Sequence, residues 1–266
     1  MHLNPVALPA ILCAAVLYRL GIALERRANS RKAKIWLFAV AVFLATPCFL
    51  FALYYTHLFD NAAWFYRFRA LPYSELVISA SGLLAGSVYS WFAPETFGER
   101  IAIPVSLFVF LAIPFVKPIL DPINLDLLRD SCDGEVCMQS TLSTCGPSSS
   151  ATILKAFGQK ASEKQLAREC LTSRGGTEVW YIARAFERRG FHAIVQIQPE
   201  GNVLPPSPAI AGVVLPGGAG HFIAILSQNA QDVAIGDPMK GKLTLKKSEL
   251  RSYYNFTGFF LVIQPN

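Results

Sequence analysis

Charged residues are scarce in this sequence. Of its 266 residues, 16% are Asp, Glu, Lys or Arg, whereas roughly a quarter is usual in soluble globular domains. Six cysteines are too few for a small domain held together by disulfides. Hydrophobic residues make up 53% of the chain and aromatic residues 12%, which excludes a disordered or collagen-like protein. The composition is therefore unlike that of an ordinary soluble enzyme.

The positive charge and the long apolar runs lie in the first half of the chain. Residues 1–120 contain 10 Lys and Arg against 5 Asp and Glu, whereas residues 121–266 contain 14 against 13. Most of the net charge of +6 thus lies in the loops of the apolar half, where basic residues set the orientation of membrane helices. Because the second half has no basic excess, we expect no nucleic-acid partner.

Four stretches are long and apolar enough to cross a membrane, which takes about 20 residues per helix. The sequence predicts four transmembrane helices within residues 1–120, at about 5–24, 35–59, 76–94 and 101–120. The first has its basic cluster after the apolar run, which favours a retained helix over a cleaved signal peptide. The third is the least hydrophobic and is rich in Gly, Ser and Ala, the residues that let membrane helices pack closely.

The basic loops predict an orientation. The densest cluster lies between the first two predicted helices and contains Arg26, Arg27, Arg31, Lys32 and Lys34, so this loop is expected to be cytoplasmic. With four spans, everything after residue 120 then lies outside the cytoplasm, as does the loop 60–75. The aromatic residues of that loop suit the lipid interface or, alternatively, a surface that docks substrate. We therefore expect an integral membrane protein in contact with lipid.

The second half has the pattern of a tether, residues 121–137, followed by one domain, residues 138–266. Helical patterns come first in this domain, and β-rich runs follow at 191–198, 209–215, 221–227, 232–235, 242–245 and 258–264. Helices followed by strands, with few alternations between them, predict an α+β fold with an antiparallel sheet.

The cysteines fall into two groups. Cys132 and Cys137 have a spacing that allows a small disulfide loop, which requires an oxidising compartment; two free thiols or a metal pair are the alternatives. Cys170 has the pattern of a core residue, and no metal site with further ligands is evident. Cys145 stands apart because it precedes Gly146 and Pro147 at the start of a predicted helix. A thiol there lies near the positive end of the helix dipole, which favours the thiolate.

A nucleophilic cysteine needs a base and a group that orients that base. The domain contains two histidines. His221 opens an apolar strand after a glycine-rich run, whereas His192 lies within a strand pattern typical of a surface or packed residue. Asp237, at the end of the next strand, is one hairpin away from His221. The sequence thus predicts that Cys145, His221 and Asp237 act together.

These residues, in this order and spacing, resemble a known family. Gln139, the Cys145-Gly146-Pro147 run, Gly220-His221-Phe222 and Asp237-Pro238 are similar to the papain-like cysteine peptidases that process double-glycine leaders of bacteriocins. The resemblance implies that Gln139 supplies the oxyanion-hole side chain, Cys145 the nucleophile, His221 the base and acid, and Asp237 the orienting carboxylate. It also implies a papain-like fold, small residues before the scissile bond and a bacterial inner membrane. We expect no cofactor and no metal.

The sequence departs from the best-known members of that family, which are fused to ATP-driven exporters. It contains no Walker A motif, and its apolar segments precede the matching residues. We expect a membrane-anchored cysteine peptidase acting on a peptide or protein, with a separate exporter as a candidate partner. The alternatives are a peptide-binding or signalling module that does not cut, and an amidase or transpeptidase that uses the same thiol.

Overall fold

The structure, a computed structural model, describes residues 4–92, 95–198 and 204–266. It divides into two compact units. The apolar unit comprises the described residues of 3–60 and 73–119, and the sheet unit comprises residues 61–72 and 120–266. The loop 61–72 between two apolar segments therefore belongs to the sheet unit, which the sequence pattern did not indicate.

The elements alternate little, as expected for an α+β chain. The helices are α1 (Ala7–Arg27), α2 (Arg31–Ala45), α3 (Phe49–Leu53), α4 (Ala63–Ala70), α5 (Ser81–Phe92), α6 (Phe97–Ala112), α7 (Lys117–Leu120), α8 (Cys145–Ala156), α9 (Glu163–Glu169), α10 (Val179–Glu187) and α11 (Leu250–Tyr253). The strands are β1 (Cys132–Asp133), β2 (Val136–Cys137), β3 (Phe191–Ile197), β4 (Ala209–Val214), β5 (Gly220–Gln228), β6 (Asp232–Asp237), β7 (Gly241–Lys246) and β8 (Asn255–Pro265). Short 3-10 helices lie at Thr46–Cys48, Tyr54–Thr56, Ser74–Ala80, Ile113–Phe115 and Leu125–Leu127.

Within the described residues, three helical segments, not the four predicted, are long and apolar enough to cross a membrane. They are Ala7–Arg27, Arg31–Thr56 and Phe97–Phe115. The predicted third span, 76–94, instead forms the 3-10 helix Ser74–Ala80 followed by α5, which has 12 residues. An α-helix of that length is only about 18 Å long, shorter than a bilayer core of about 30 Å. The last two residues of that predicted span, Ala93 and Pro94, lie outside the described residues.

In the apolar unit α5 packs closely against α1. A Cβ atom added at Gly82 would lie 2.2 Å from the carbonyl oxygen of Ala14, and one added at Gly86 would lie 2.1 Å from that of Tyr18. The two helix backbones are thus in direct contact, which only glycine permits. This contact explains the small residues in the predicted third span.

The sheet unit contains a six-stranded sheet in the order β3-β8-β4-β5-β6-β7. Every neighbouring pair of strands is antiparallel, as the sequence predicted. The described part of the chain also contains the small hairpin β1-β2, in which Cys132 pairs with Cys137. The chain is therefore a mixed helix and sheet protein with apolar helices in its N-terminal half.

One face of the sheet carries a compact apolar core. Its fully or almost fully buried members are Ala211, Val213, Ile223, Ile225, Val233, Ile235, Leu250, Tyr254 and Phe260. Helix α8 packs against β4, β5 and β6, and α10 packs against α8 and β3. These contacts bring the start of α8 close to the start of β5, where the sequence placed its candidate nucleophile and base.

Candidate active site

Cys145 is the first residue of α8 and is 6% exposed. Pro147 lies in the first turn, where its missing N–H costs no hydrogen bond. Gly146 is required by close packing, because a Cβ atom there would lie 2.8 Å from Cδ1 of Ile182 on α10. The thiol thus lies among the unpaired N–H groups of a helix start, with its position fixed by α10.

The register of β5 and β6 places His221 and Asp237 on the same face of the sheet. Ile225 pairs with Ile235, and side chains alternate along a strand, so residues two or four positions away share that face. The imidazole Nε2 of His221 lies 3.0 Å from Oδ1 of Asp237. The two residues are 4% and 1% exposed, so solvent scarcely weakens the interaction between them.

The Asp237 carboxylate accepts further hydrogen bonds. The hydroxyl of Tyr254 donates to Oδ2 at 2.6 Å, and the backbone N–H of Met239 donates to Oδ1 at 2.9 Å. Burial raises the pKa of Asp237, but hydrogen bonds from His221, Tyr254 and Met239 outweigh it and lower the pKa below its ordinary value. The pKa of Tyr254 is raised by burial and by its bond to Asp237. A negative carboxylate thus faces a neutral phenol and the imidazole.

Cys145 lies within hydrogen-bonding reach of His221. Burial lowers the pKa of His221, but hydrogen bonds to Asp237 and to Cys145, together with the charges of both, raise it from an ordinary 6.5 to about 9. This shift favours the imidazolium form of His221 at neutral pH. Since Nε2 faces Asp237, Nδ1 is the nitrogen left for the thiol. The structure brings three of the predicted residues together.

Gln139 lies on the loop that leads into α8. Its backbone N–H donates to the carbonyl of Pro238, next to Asp237, at 2.9 Å, and its side-chain Nε2 donates to the carbonyl of Thr141 at 2.9 Å. The side-chain Oε1 is buried without a hydrogen-bond partner in the described part of the structure. Oε1 is an acceptor, so the group of Gln139 that could donate to an oxyanion is Nε2, which here donates to Thr141.

Several residues that support the site could not be found from the sequence. Glu163, 1% exposed, accepts hydrogen bonds from the backbone N–H and hydroxyl of Ser140 at 2.6 and 2.5 Å. Ser149 of α8 donates to the carbonyl of Phe222, next to His221, at 3.0 Å. No motif in the sequence singled out Glu163 or Ser149 for this role.

The remaining cysteines are not part of this cluster. Cys132 and Cys137 form a disulfide, which decides between the alternatives left open by their spacing. Cys170 is fully buried, and burial raises its pKa to about 12. Across residues 4–92, 95–198 and 204–266, no group of three or more His, Cys, Asp or Glu side chains is placed to hold a metal ion.

Similar proteins match the second half of the chain. A protein of Methanothermobacter thermautotrophicus is 31% identical over 132 residues, which cover 50% of this chain and 89% of that protein. The lactococcin-G-processing and transport ATP-binding protein LagD of Lactococcus lactis is 26% identical over 49% of this chain, but only 19% of LagD is covered.

Solved structures match the same half at low similarity. A double-glycine-motif protease from an AMS/PCAT transporter, in complex with its leader peptide, is 24% identical, with a TM-score of 0.42 over 52% of this chain and 94% of that one. The peptidase domain of Streptococcus ComA, a bifunctional ABC transporter of a quorum-sensing pathway, is 20% identical, with a TM-score of 0.41 over 52% of this chain and 98% of that one.

A family model covers the residues that form this site. The Peptidase C39 family model matches residues 134–266, half of the chain, a span that contains Gln139, Cys145, His221 and Asp237. With a thiol at a helix start next to a buried histidine and aspartate, the matched half carries chemistry suited to a peptidase, and the chain belongs to the Peptidase C39 family.

Proposed function

We propose that this protein is a membrane-anchored cysteine peptidase in which Cys145, His221, Asp237 and Gln139 carry out the reaction. The observation that carries the proposal is the buried pair of His221 and Asp237 next to Cys145. A raised pKa on the imidazole favours a thiolate and imidazolium pair at neutral pH, the form in which a cysteine is nucleophilic.

The reaction follows from the positions of these groups. The Cys145 sulfur forms a bond to the carbonyl carbon of the peptide, and the carbonyl oxygen becomes an oxyanion. The Cys145 backbone N–H and the Gln139 side-chain amide stabilise that oxyanion. The imidazolium of His221 transfers its proton to the leaving amine, and the C–N bond breaks. Neutral His221 then takes a proton from water, the water oxygen attacks the thioester, and the C–S bond breaks, which releases the acid and restores the Cys145 thiolate beside the His221 imidazolium.

Small residues next to the scissile bond suit this site. Cys145 is almost fully buried, and a Cβ atom at Gly146 would lie 2.8 to 3.5 Å from atoms of Ile182, Thr177 and Phe222. The resemblance to the peptidases that process double-glycine leaders implies a Gly-Gly type of sequence before the scissile bond. The relative LagD, named for processing lactococcin G, supports a leader-bearing peptide as substrate, with an exporter as a candidate partner.

The three apolar helices support an anchor in the membrane. The basic residues between α1 and α2 support a cytoplasmic position for that loop, and the disulfide of Cys132 and Cys137 supports an oxidising compartment for the sheet unit. On the ground of the disulfide we propose that the active site lies outside the cytoplasm, which together with a cytoplasmic loop between α1 and α2 requires an even number of crossings before residue 120.

The test uses the full chain in detergent with a panel of peptides that carry Gly-Gly, Gly-Ala or bulky pairs before one bond. We expect the wild type to cleave after the small pairs. The Cys145→Ala and His221→Gln variants should cleave the same peptides at least 100-fold more slowly. His192→Gln is the matched control because His192 is an exposed histidine of the same unit, and it should retain wild-type activity. Cleavage that survives Cys145→Ala would refute the proposal.

A second measurement separates the alternatives. Iodoacetamide should label Cys145 below pH 7, where an ordinary thiol reacts slowly, and the labelling should slow on His221→Gln. Peptide binding without cleavage or rapid labelling would favour a peptide-binding module. Rapid labelling with acyl transfer to an added amine, and no hydrolysis, would favour a transpeptidase.

A further inference from the structure

Helix α4, in the loop between two apolar segments, packs against the sheet unit through its C-terminal end. Arg184 of α10 donates from Nη2 to the carbonyl of Arg69 at 2.5 Å and from Nε to the carbonyl of Ala70 at 3.4 Å. These are the last carbonyls of α4, which have no partner within the helix. Arg184 is 9% exposed, so this capping contact is largely shielded from water.

An aromatic contact lies beside this cap. The guanidinium of Arg69 lies 4.0 Å above the ring of Trp180 on α10, and the ring of Phe65 meets Trp180 edge to face at 6.5 Å. Arg69, Phe65 and Trp180 are at most 3% exposed. Phe65 is therefore a core residue and not part of the lipid-facing or substrate-docking surface that the aromatic loop suggested.

The other side of α4 reaches the edge of the sheet. Arg67 donates to the carbonyl of Val195 on β3 at 3.1 Å, and the ring of Tyr66 meets Phe259 of β8 at 5.3 Å. Since β3 ends the sheet, its outward carbonyls would otherwise be open to pairing with another strand. Helix α4 thus covers this edge as well as the face of α10.

We infer that residues 61–72 are an integral part of the peptidase unit, so that residues 134–266 alone lack one piece of the fold. Helix α4 of the same chain covers the surface formed by α10, β3 and β8. The inference rests on packing and is independent of the proposed peptidase activity. Its consequence for catalysis does rest on that activity: α10 also contacts Gly146 through Ile182, so α4 holds the helix that positions Cys145.

This packing also constrains the path through the membrane. Residues 61–72 and 120–266 belong to one unit and must lie on the same side of a bilayer, so the chain between them crosses an even number of times. The stretch 73–119 contains one candidate span within its described residues, Phe97–Phe115. A crossing there therefore requires a second crossing between residues 73 and 119.

The first test measures hydrogen exchange of the full chain in detergent. Arg184→Ala should raise the exchange rates of amides in 61–72 and in α10 at least 10-fold, while α8 stays protected. Arg188→Ala, at the exposed end of the same helix, is the matched control and should leave these rates unchanged. Wild-type residues 61–72 that exchange as fast as an unstructured peptide would overturn the inference.

The second test does not depend on how well the variant folds. Asn61→Cys and Asn229→Cys, each introduced singly, are labelled with a membrane-impermeant maleimide in sealed, oriented vesicles and compared with the parent chain. Both new thiols should label from the same side. Labelling from opposite sides would overturn the inference, and it would do so whether or not the protein cleaves peptides.

Discussion

Tyr254 donates its hydroxyl proton to Oδ2 of Asp237 at 2.6 Å, so the carboxylate that faces His221 through Oδ1 is held at both oxygens. Tyr254 lies between α11 and the last strand, and Asp237 lies at the end of β6, 17 residues earlier. Both are at most 5% exposed. The phenol therefore fixes the carboxylate that in turn orients the imidazole, which makes Tyr254 a positioning residue for the proposed reaction.

Tyr254→Phe should lower the free energy of unfolding by about 1.5–3 kcal/mol at pH 7, the usual value of a buried hydrogen bond to a charged group. Because the pKa of Asp237 is lowered in the folded protein, its carboxylate stabilises the fold above the ordinary pKa of 3.8. This stabilisation is lost as pH falls through the folded pKa. The difference from wild type should therefore shrink below about pH 4. Chemical unfolding at several pH values measures this, and Tyr253→Phe, at the exposed neighbouring ring, should have no effect.

Asp237→Asn should move the alkaline limit of activity to lower pH. In the wild type the pKa of His221 is raised to about 9, so we expect kcat/KM for the small-pair peptide to fall as pH rises through about 9. Without the Asp237 charge the pKa of His221 falls towards its ordinary 6.5. The pH at which kcat/KM declines on the alkaline side should therefore fall with it. We also expect activity at pH 7 to drop about 100-fold or more. An unchanged alkaline limb would contradict this assignment; Asp232→Asn, on the same strand, is the control.

The imidazolium of His221 should also stabilise the fold. Because its folded pKa lies above the unfolded value, its contribution is complete below about pH 6.5 and disappears as pH rises through about 9. His221→Gln should therefore lower the thermal unfolding temperature more at pH 6 than at pH 10. His192→Gln, at the exposed histidine, should cause no such pH-dependent difference.

Glu163→Gln should slow catalysis without abolishing it. Glu163 uses both carboxylate oxygens to hold Ser140, the residue after Gln139, and a glutamine keeps only one acceptor for these two donors. We expect kcat/KM to fall about 10-fold, equivalent to about 1.4 kcal/mol, because the Gln139 amide is less well placed. Glu135→Gln, at an exposed glutamate, is the control, and equal activity in all three proteins would contradict the proposed role.

Gly86→Ala should destabilise the apolar unit. The new Cβ atom would lie 2.1 Å from the carbonyl oxygen of Tyr18, so α1 and α5 would have to move apart. Such overpacking costs about 1–3 kcal/mol, measurable as a lower midpoint of thermal unfolding in detergent. Gly98→Ala is the matched control, because nothing lies within 4 Å of a Cβ atom at Gly98. That variant should unfold at the same temperature as wild type.

The strands and the start of α8 were predictable because their signals are local. The β-rich run predicted at 191–198 corresponds to β3, Phe191–Ile197, and the helix start predicted at the Cys145-Gly146-Pro147 run is the start of α8 at Cys145. The predicted third span failed for a local reason as well. Ser74–Ala80 forms a 3-10 helix, a tighter winding that composition alone does not distinguish from an α-helix.

The sequence by itself determined the elements and the residues whose chemistry is unusual in their place: a thiol at a helix start, a histidine after a glycine run and an aspartate before a proline. Only the tertiary structure decided what surrounds them. Tyr254 on Asp237, Glu163 on Ser140 and Arg184 on the end of α4 join residues 17 to 115 positions apart. Periodicity and capping patterns reflect interactions within a few residues, whereas such distant contacts depend on how whole elements pack.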